Sequence, residues 1–344
     1  MPISHCADPT LIISLGDPSG IGPEVIVKSL AQKKIRRLAN YVIAGDGCVL
    51  EYYNRIFKSG LKIIPLPRGG ISGKSGSAGG IYLSETGRLR AFKGPAKKRP
   101  ASPEASAALA YLDRAIELTR AIKPSALVTA PVCKESIEKH SREFHGHTDY
   151  LAKATQSKKA LMCFVGPKLK IALFTHHIPL ALVPRRMVRR DLEEFLNILI
   201  AEIKEKFSLR RPKIAVAGLN PHAGENGLLG REEKDIIIPA MRSVGGSLTG
   251  PVPADVLFYN AYRGEYDFVV ALYHDQALGP FKMVCRENGV NLTLGLPFIR
   301  TSPDHGTAFD IAGEGRADPR SFQEALLLAL QLTRRNADGS QKKR

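Results

Sequence analysis

Three apolar runs in this 344-residue chain each end in histidine, and histidine is the residue type here best suited to do chemistry. Lys170–Thr175 leads into His176 and His177. Lys213–Gly218 leads through Leu219, Asn220 and Pro221 into His222. Asp267–Tyr273 leads into His274 and then Asp275. Each run has the length and apolar content of a buried strand. In open α/β sheets, ligands bind at the carboxyl ends of the strands. Three such strands would therefore gather imidazoles on one edge. Imidazole is the commonest metal-ligating side chain, and three protein ligands with a position left open is a catalytic arrangement. Asp275 is placed to orient His274 or to act as a base. Spacing leaves the choice between His176 and His177 open.

A second set lies at His145–Tyr150, where His147 and Thr148 offer hydrogen bonds to an anionic or hydroxylated ligand. The same residues would serve equally as a helix N-terminus capped by Thr148. A third set is cationic and amide-bearing: Lys282, Asn291 and Arg300. Lysine holds phosphate or carboxylate as a point charge, and arginine does so as a fork. Arg300 is delivered by an apolar run to the polar loop Thr301–Thr307. Two glycine segments complete the inventory. Gly16–Gly22 follows a strand and opens a helix, so its backbone N–H groups could receive an anion. Gly69–Ser75 approaches a P-loop but has Arg68 where the pattern needs glycine. No G-x-G-x-x-G occurs.

The elements that must position these groups alternate. Strands are expected at 11–15, 41–44, 61–66, 125–129, 159–165, 169–175, 213–218, 267–273 and 291–294. Helices are expected following the Gly16–Glu24 segment to about Leu30, over 102–122, from an Asp191/Glu194 capping box to about 203, over 232–243, and from a Ser321/Glu324 capping box to about 334. That alternation predicts a layered α/β fold with a mainly parallel sheet. The length suits two domains, with borders near 125 and 305: residues 1–125 plus 305–344 in one, 126–304 in the other.

Composition narrows the class. Fifty Lys and Arg against 33 Asp and Glu give +17, which suits an anionic partner such as a phosphorylated metabolite or dinucleotide. No nucleic-acid-binding motif accompanies the charge, so no nucleic-acid partner is expected. Five cysteines without a C-x-x-C pair argue for a reducing cytoplasm. No signal peptide is evident. No apolar stretch reaches the ~18 residues of a membrane span.

Taken in order, GDPSGIGPE, GHTDY, HIPL, LNPHAGE, PADVLF, YHDQ and GVNLTLGLPFIRTSPDHGTA resemble the PdxA family, the 4-hydroxythreonine-4-phosphate dehydrogenases of pyridoxal phosphate biosynthesis. The resemblance covers nearly the whole chain and weakens in 65–100 and after about 335. It implies a two-domain αβα fold of the isocitrate/isopropylmalate dehydrogenase-like type, which binds NAD without the usual glycine fingerprint and has its active site in the interdomain cleft. It implies a homodimer with each site near the interface, carried by the second domain. It implies a divalent metal (zinc, magnesium or cobalt) on His177, His222 and His274. It also implies substrate contacts from His147, Thr148, Lys282, Asn291 and Arg300. The implied reaction oxidises 4-phosphooxy-L-threonine with NAD or NADP and decarboxylates it to 3-amino-2-oxopropyl phosphate. Asp255 of PADVLF and Asp275 are candidates for base or orienting carboxylate; the cofactor-binding residues are unassigned. The chain departs from the pattern at Cys133, Ala277 and Met283–Asn288. The nearest alternative substrate is 4-phospho-threonate or 4-phospho-erythronate.

Overall fold

The computed structural model describes residues 9–68, 71, 78–96, 102–141, 144–246 and 248–341. Most of the P-loop-like Gly69–Ser75 segment lies outside the described residues. The strands, in chain order, are β1 (Thr10–Ser14), β2 (Asn40–Gly45), β3 (Ile64–Pro65), β4 (Ile81–Glu85), β5 (Ser125–Thr129), β6 (Leu161–Val165), β7 (Lys170–Leu173), β8 (Ile214–Ala217), β9 (Leu248–Val252), β10 (Phe268–Ala271), β11 (Val290–Leu294) and β12 (Ile299–Pro303). The chain divides into two compact units, residues 1–155 with 297–344 and residues 156–296. These borders lie away from the positions near 125 and 305 read from sequence. The reason is pairing: β5 and β12 both belong to the first unit, where Thr10–Ser14 is in register with Ser125–Thr129 and Ile299–Thr301 with Ala126–Val128.

In the first unit the strand order is β3-β4-β2-β1-β5-β12, and every pair is parallel. β1, β2 and β5 are buried throughout, the near-continuous apolar pattern expected of a sheet covered on both faces. The Ser102–Ala121 helix packs on β1 and β2, and the Arg320–Gln341 helix packs on β5 and β12. Leu61–Leu66 yields only the two-residue, exposed edge strand β3. The strand order reverses direction at β1, with β2 on one side and β5 on the other. That switch point is where doubly wound sheets open a crevice at their strand ends.

In the second unit the order is β11-β6-β7-β10-β8-β9. β6 pairs antiparallel with both β11 and β7, whereas β7, β10, β8 and β9 run parallel. The core beneath contains Phe164, Ile171, Leu173, Ala215, Leu257, Val269 and Phe281. Two helices in this unit, Ala254–Tyr262 and His274–Cys285, bear site candidates.

Three local expectations change. The helix near 191 begins at Arg189 with no side-chain cap, so Asp191 sits inside the first turn, where its charge suits the helix dipole. Its buried stripe of Leu192, Phe195, Leu196 and Leu199 carries the helix instead. The last helix begins at Arg320, and the Ser321 hydroxyl accepts a hydrogen bond from the Asp304 amide. The 232–243 segment starts as a π-turn, Glu233–Ile237, before α-helix Ile238–Val244. Pro239 lacks an N–H to donate back into the preceding turn.

Candidate active site

The second unit places the three histidine-bearing strand ends side by side. β10 lies between β7 and β8, in parallel register with each, and neighbouring strands are about 4.8 Å apart. Side chains tie these ends together. The Thr175 hydroxyl donates to the Leu272 carbonyl (2.6 Å), linking the ends of β7 and β10. Gln276 of the YHDQ segment donates to the Gly218 carbonyl and accepts from the Leu272 amide, 2.7 Å each, linking β10 to β8.

His177 and His274 meet, with ring centroids 5.7 Å apart, while His176 packs edge-on against His177 at 5.2 Å. Both His177 and His274 line a cavity of about 270 Å³ with Ile178, Leu180, Val183, Tyr273 and Asp275. His274 Nδ1 lies 2.7 Å from Asp275 Oδ1. With the ring N–H donating to that carboxylate, Nε2 is left as the nitrogen available to a ligand. Asp275 is 90% exposed on its side chain, so this contact orients a ring at the surface.

His222 occupies a short helical turn, Pro221–Gly227, whose residues 222–226 all have positive φ. His177 and His222 share a φ of 52°, a left-handed conformation costing of order 1 kcal/mol or more for a non-glycine residue. The buried carboxylate of Glu233 holds the turn. It accepts from the amides of Leu219 (2.8 Å) and Asn220 (2.7 Å) and from the Asn220 side chain (3.0 Å). Nothing in the local sequence flagged Glu233, which lies outside the histidine motif. The donor types and the shared strand edge fit a divalent metal. Among the described residues, however, no group of three His, Cys, Asp or Glu side chains is arranged to hold an ion. The chain thus brings His177 and His274 together and sets His222 on the adjacent strand end, short of a closed ligand set.

Asp255 is exposed in the first turn of Ala254–Tyr262. It lines a different cavity, of about 810 Å³, with Phe258, Tyr259, Tyr262, Tyr273 and Met283. Lys282 lies on the same helix as His274, eight residues or ~12 Å along its axis. Asn291 is half-buried in β11, and its Oδ1 has no partner among the described residues.

The first unit assembles a separate polar cluster. Arg300 in β12 is buried and donates from Nη2 to the Thr129 hydroxyl at 2.7 Å. Burial pushes the guanidinium pKa down to about 9. His147 and Thr148 open the helix His147–Thr155, so Thr148 is a buried residue of the first turn and not its cap. The His147 ring packs edge-on against Phe144 at 5.9 Å, and its Nε2 is buried without a partner among the described residues. Desolvation, and then the charge of Arg300, hold the His147 pKa well below the usual imidazole value. A neutral imidazole within electrostatic reach of a buried guanidinium has the chemistry to bind an anion that also carries a hydroxyl. Thr129 is the member that sequence reasoning missed; it was read only as the end of a strand.

Four amides of the Gly16–Gly22 segment are engaged within the protein and not offered to an anion: Asp17 on the Pro131 carbonyl, Ser19 on Asp17 Oδ1, Gly20 on the Asp17 carbonyl and Ile21 on the Thr307 carbonyl.

These features define a two-unit α/β protein with polar and histidine clusters at parallel strand ends. The family described as pyridoxal phosphate biosynthetic protein PdxA matches residues 37–329, and the chain belongs to that family. It is 42% identical over 327 residues to a 4-hydroxythreonine-4-phosphate dehydrogenase of Sulfurihydrogenibium sp., covering 94% of this chain and 98% of the relative. It is 43% identical over 345 residues to a D-threonate 4-phosphate dehydrogenase of Cupriavidus necator, covering 96% and 98%. A crystal structure of a 4-hydroxythreonine-4-phosphate dehydrogenase from Burkholderia phymatum superposes with a TM-score of 0.81 at 38% identity, covering 95% of this chain and 99% of that one. The chain is therefore a dehydrogenase of the PdxA family with an α/β fold.

Proposed function

We propose that this chain oxidises 4-phosphooxy-L-threonine at C3 with NAD or NADP and decarboxylates the resulting β-keto acid to 3-amino-2-oxopropyl phosphate, in cytoplasmic pyridoxal phosphate biosynthesis. The observation that carries the reading is the buried Arg300–Thr129 pair beside the neutral His147. A buried guanidinium whose charged form is disfavoured by its surroundings has most to gain from an anionic substrate group.

In this reading Arg300 holds the phosphate or carboxylate, with Thr129 fixing its fork. His147 offers Nε2 to a substrate hydroxyl, and Thr148 lies beside it in the first helical turn. Lys282 supplies a second cation, and the Asn291 amide oxygen accepts from a substrate N–H or O–H. His177, His222 and His274 would hold zinc, magnesium or cobalt, and Asp275 would keep the His274 ring oriented. When bound, the ion supplies Lewis-acid stabilisation of negative charge on substrate oxygen. The nicotinamide supplies the hydride acceptor. Asp255 is the candidate for a base, from the Ala254–Tyr262 helix.

We also propose a homodimer. The cavity lined by Tyr259, Tyr262 and Met283 exposes those side chains by 60%, 47% and 84%. Apolar side chains clustered at one exposed place are candidates for an interaction site, and the partner proposed is a second copy.

The D-threonate 4-phosphate dehydrogenase relative at 43% identity favours a second reading, in which a hydroxyl replaces the substrate amine. NADH formation measured side by side on 4-phosphooxy-L-threonine and 4-phospho-D-threonate separates the two. Preference for the amino compound by kcat/KM supports the first, the reverse supports the second, and turnover of neither refutes both.

A further inference from the structure

The acids of the Gly16–Glu24 segment both point into the first unit, and each meets a different loop. Asp17 is wholly buried. Its amide donates to the Pro131 carbonyl at 2.9 Å, and its carboxylate accepts from the Ser19 amide at 3.0 Å. The Cys133 N–H also stabilises the charged form. Pro131 and Cys133 lie in the loop that leaves β5 directly after Thr129. Gly16, at φ +75°, allows the approach: a Cβ there would come within 2.6 Å of the Pro131 carbonyl oxygen.

Glu24 is equally buried and holds the loop that leaves β12. Its Oε1 accepts from Lys28 Nζ (2.7 Å) and the Ala317 amide (2.9 Å), and its Oε2 accepts from the Gly313 amide (3.1 Å). Lys28 donates onward to the carbonyls of Gly315 (2.6 Å) and Ala317 (2.8 Å). Between the two acids, the Ile21 amide donates to the Thr307 carbonyl at 2.9 Å.

One segment therefore grips the loops that follow both strands that form the Arg300–Thr129 pair: at Pro131 and Cys133 after β5, and at Thr307, Gly313 and Ala317 after β12. We propose that Gly16–Glu24 is a clasp, with Asp17 and Glu24 as positioning residues that set the Arg300–Thr129 anion pocket without touching substrate. The inference rests on the proposed role of Arg300, and it replaces the anion cradle that the glycines suggested.

Asp17 carries a pH signature. Burial is the largest influence on its carboxyl and raises the pKa from 3.8 to about 6. The Ser19 and Cys133 amides oppose that rise, and Glu104 adds to it. Tyr53 also faces this neighbourhood, its own pKa raised by burial and by Glu24, Tyr52 and Asp17, while the Cys133 thiol accepts from the Ser136 hydroxyl. Below about pH 6 Asp17 takes a proton, which removes the charge from its hydrogen bonds to the Ser19 and Cys133 amides and relieves the cost of burying that charge.

The test compares Asp17→Asn and Glu24→Gln with wild type in the NADH assay. Both variants are expected to raise the KM for the phosphorylated substrate about tenfold or more with kcat within about twofold, the pattern of lost uniform binding. The ratio of Asp17→Asn to wild-type KM is expected to be largest at pH 8 and to fall toward one below about pH 6. Taking the ratio cancels the titration of the substrate's own phosphate, which falls in the same range. Unchanged KM in both variants, or a ratio flat with pH, overturns the clasp. Turnover of neither substrate by wild type would instead refute the proposed function. Hydrogen exchange on wild type covers the case of a variant that does not fold. After correction for intrinsic rate, the Ser19 and Cys133 amides should gain protection relative to β1 as pH falls through 6, because a carboxyl whose folded pKa is raised favours the closed, buried state once protonated. Protection that stays constant overturns the proposal.

Discussion

Replacing Arg300 by methionine removes the guanidinium and keeps much of its aliphatic stem. The drop in its pKa from the ordinary guanidinium range to about 9 corresponds to about 5 kcal/mol by which the site disfavours the charged form relative to water. Because the folded pKa is the lower one, the folded state binds fewer protons from about pH 9 up to the range where a free guanidinium titrates. This group's contribution to stability therefore improves with pH only across that alkaline window, and at neutral pH its full cost is carried. Methionine relieves that cost and forfeits the guanidinium's polar contacts, among them the 2.7 Å hydrogen bond to Thr129, each worth about 1–3 kcal/mol. The unliganded variant should therefore melt near the wild-type Tm. Binding should move the other way. Truncating one partner of a buried charge pair costs about 2–5 kcal/mol, so substrate KM should rise by about 30-fold or more. Differential scanning fluorimetry with and without inorganic phosphate, beside NADH kinetics, measures both. A variant that keeps wild-type KM, or that loses several kcal/mol of unliganded stability, would refute the reasoning.

Three further outcomes are expected. The His147 pKa is lowered by burial and by Arg300, so the folded state resists protonation there. Stability from this group is complete above the free-histidine range and declines as pH falls below it; His147→Asn should flatten that acid decline in Tm. His222→Ala and His274→Ala should each lower bound divalent metal, measured by inductively coupled plasma mass spectrometry, and abolish NADH formation; full activity in His222→Ala would sink the three-histidine reading. Tyr259→Lys should shift mass by light scattering from dimer toward monomer, and an unchanged mass in dilute solution would remove that face from the interface.

Much of the architecture was legible because it is local. Buried parallel strands are written as short apolar runs, and β1, β2, β5, β8 and β10 came within one or two residues of their expected limits. The helices Gly47–Ile56 and His274–Cys285 went unread, the second because it begins on a chemical motif and carries Pro280 inside it. Capping boxes misled where tertiary packing set the start. At Arg189 the buried stripe outweighed the side-chain cap, and Ser321 bonds to Asp304 instead.

Residue types and spacing by themselves determined that histidines would stand at strand ends and that Arg300 would be delivered by an apolar run. Only the tertiary structure decided their company. It put β10 between β7 and β8, so that His177 meets His274. It buried Arg300 against Thr129, 171 residues away. It also turned the Gly16–Glu24 segment inward, so that its acids grip neighbouring loops and four of its amides bond within the protein. The physical reason is that a pKa, a hydrogen-bond partner and a shared edge arise from burial and strand order. Those properties join residues far apart in sequence, and no local pattern contains them.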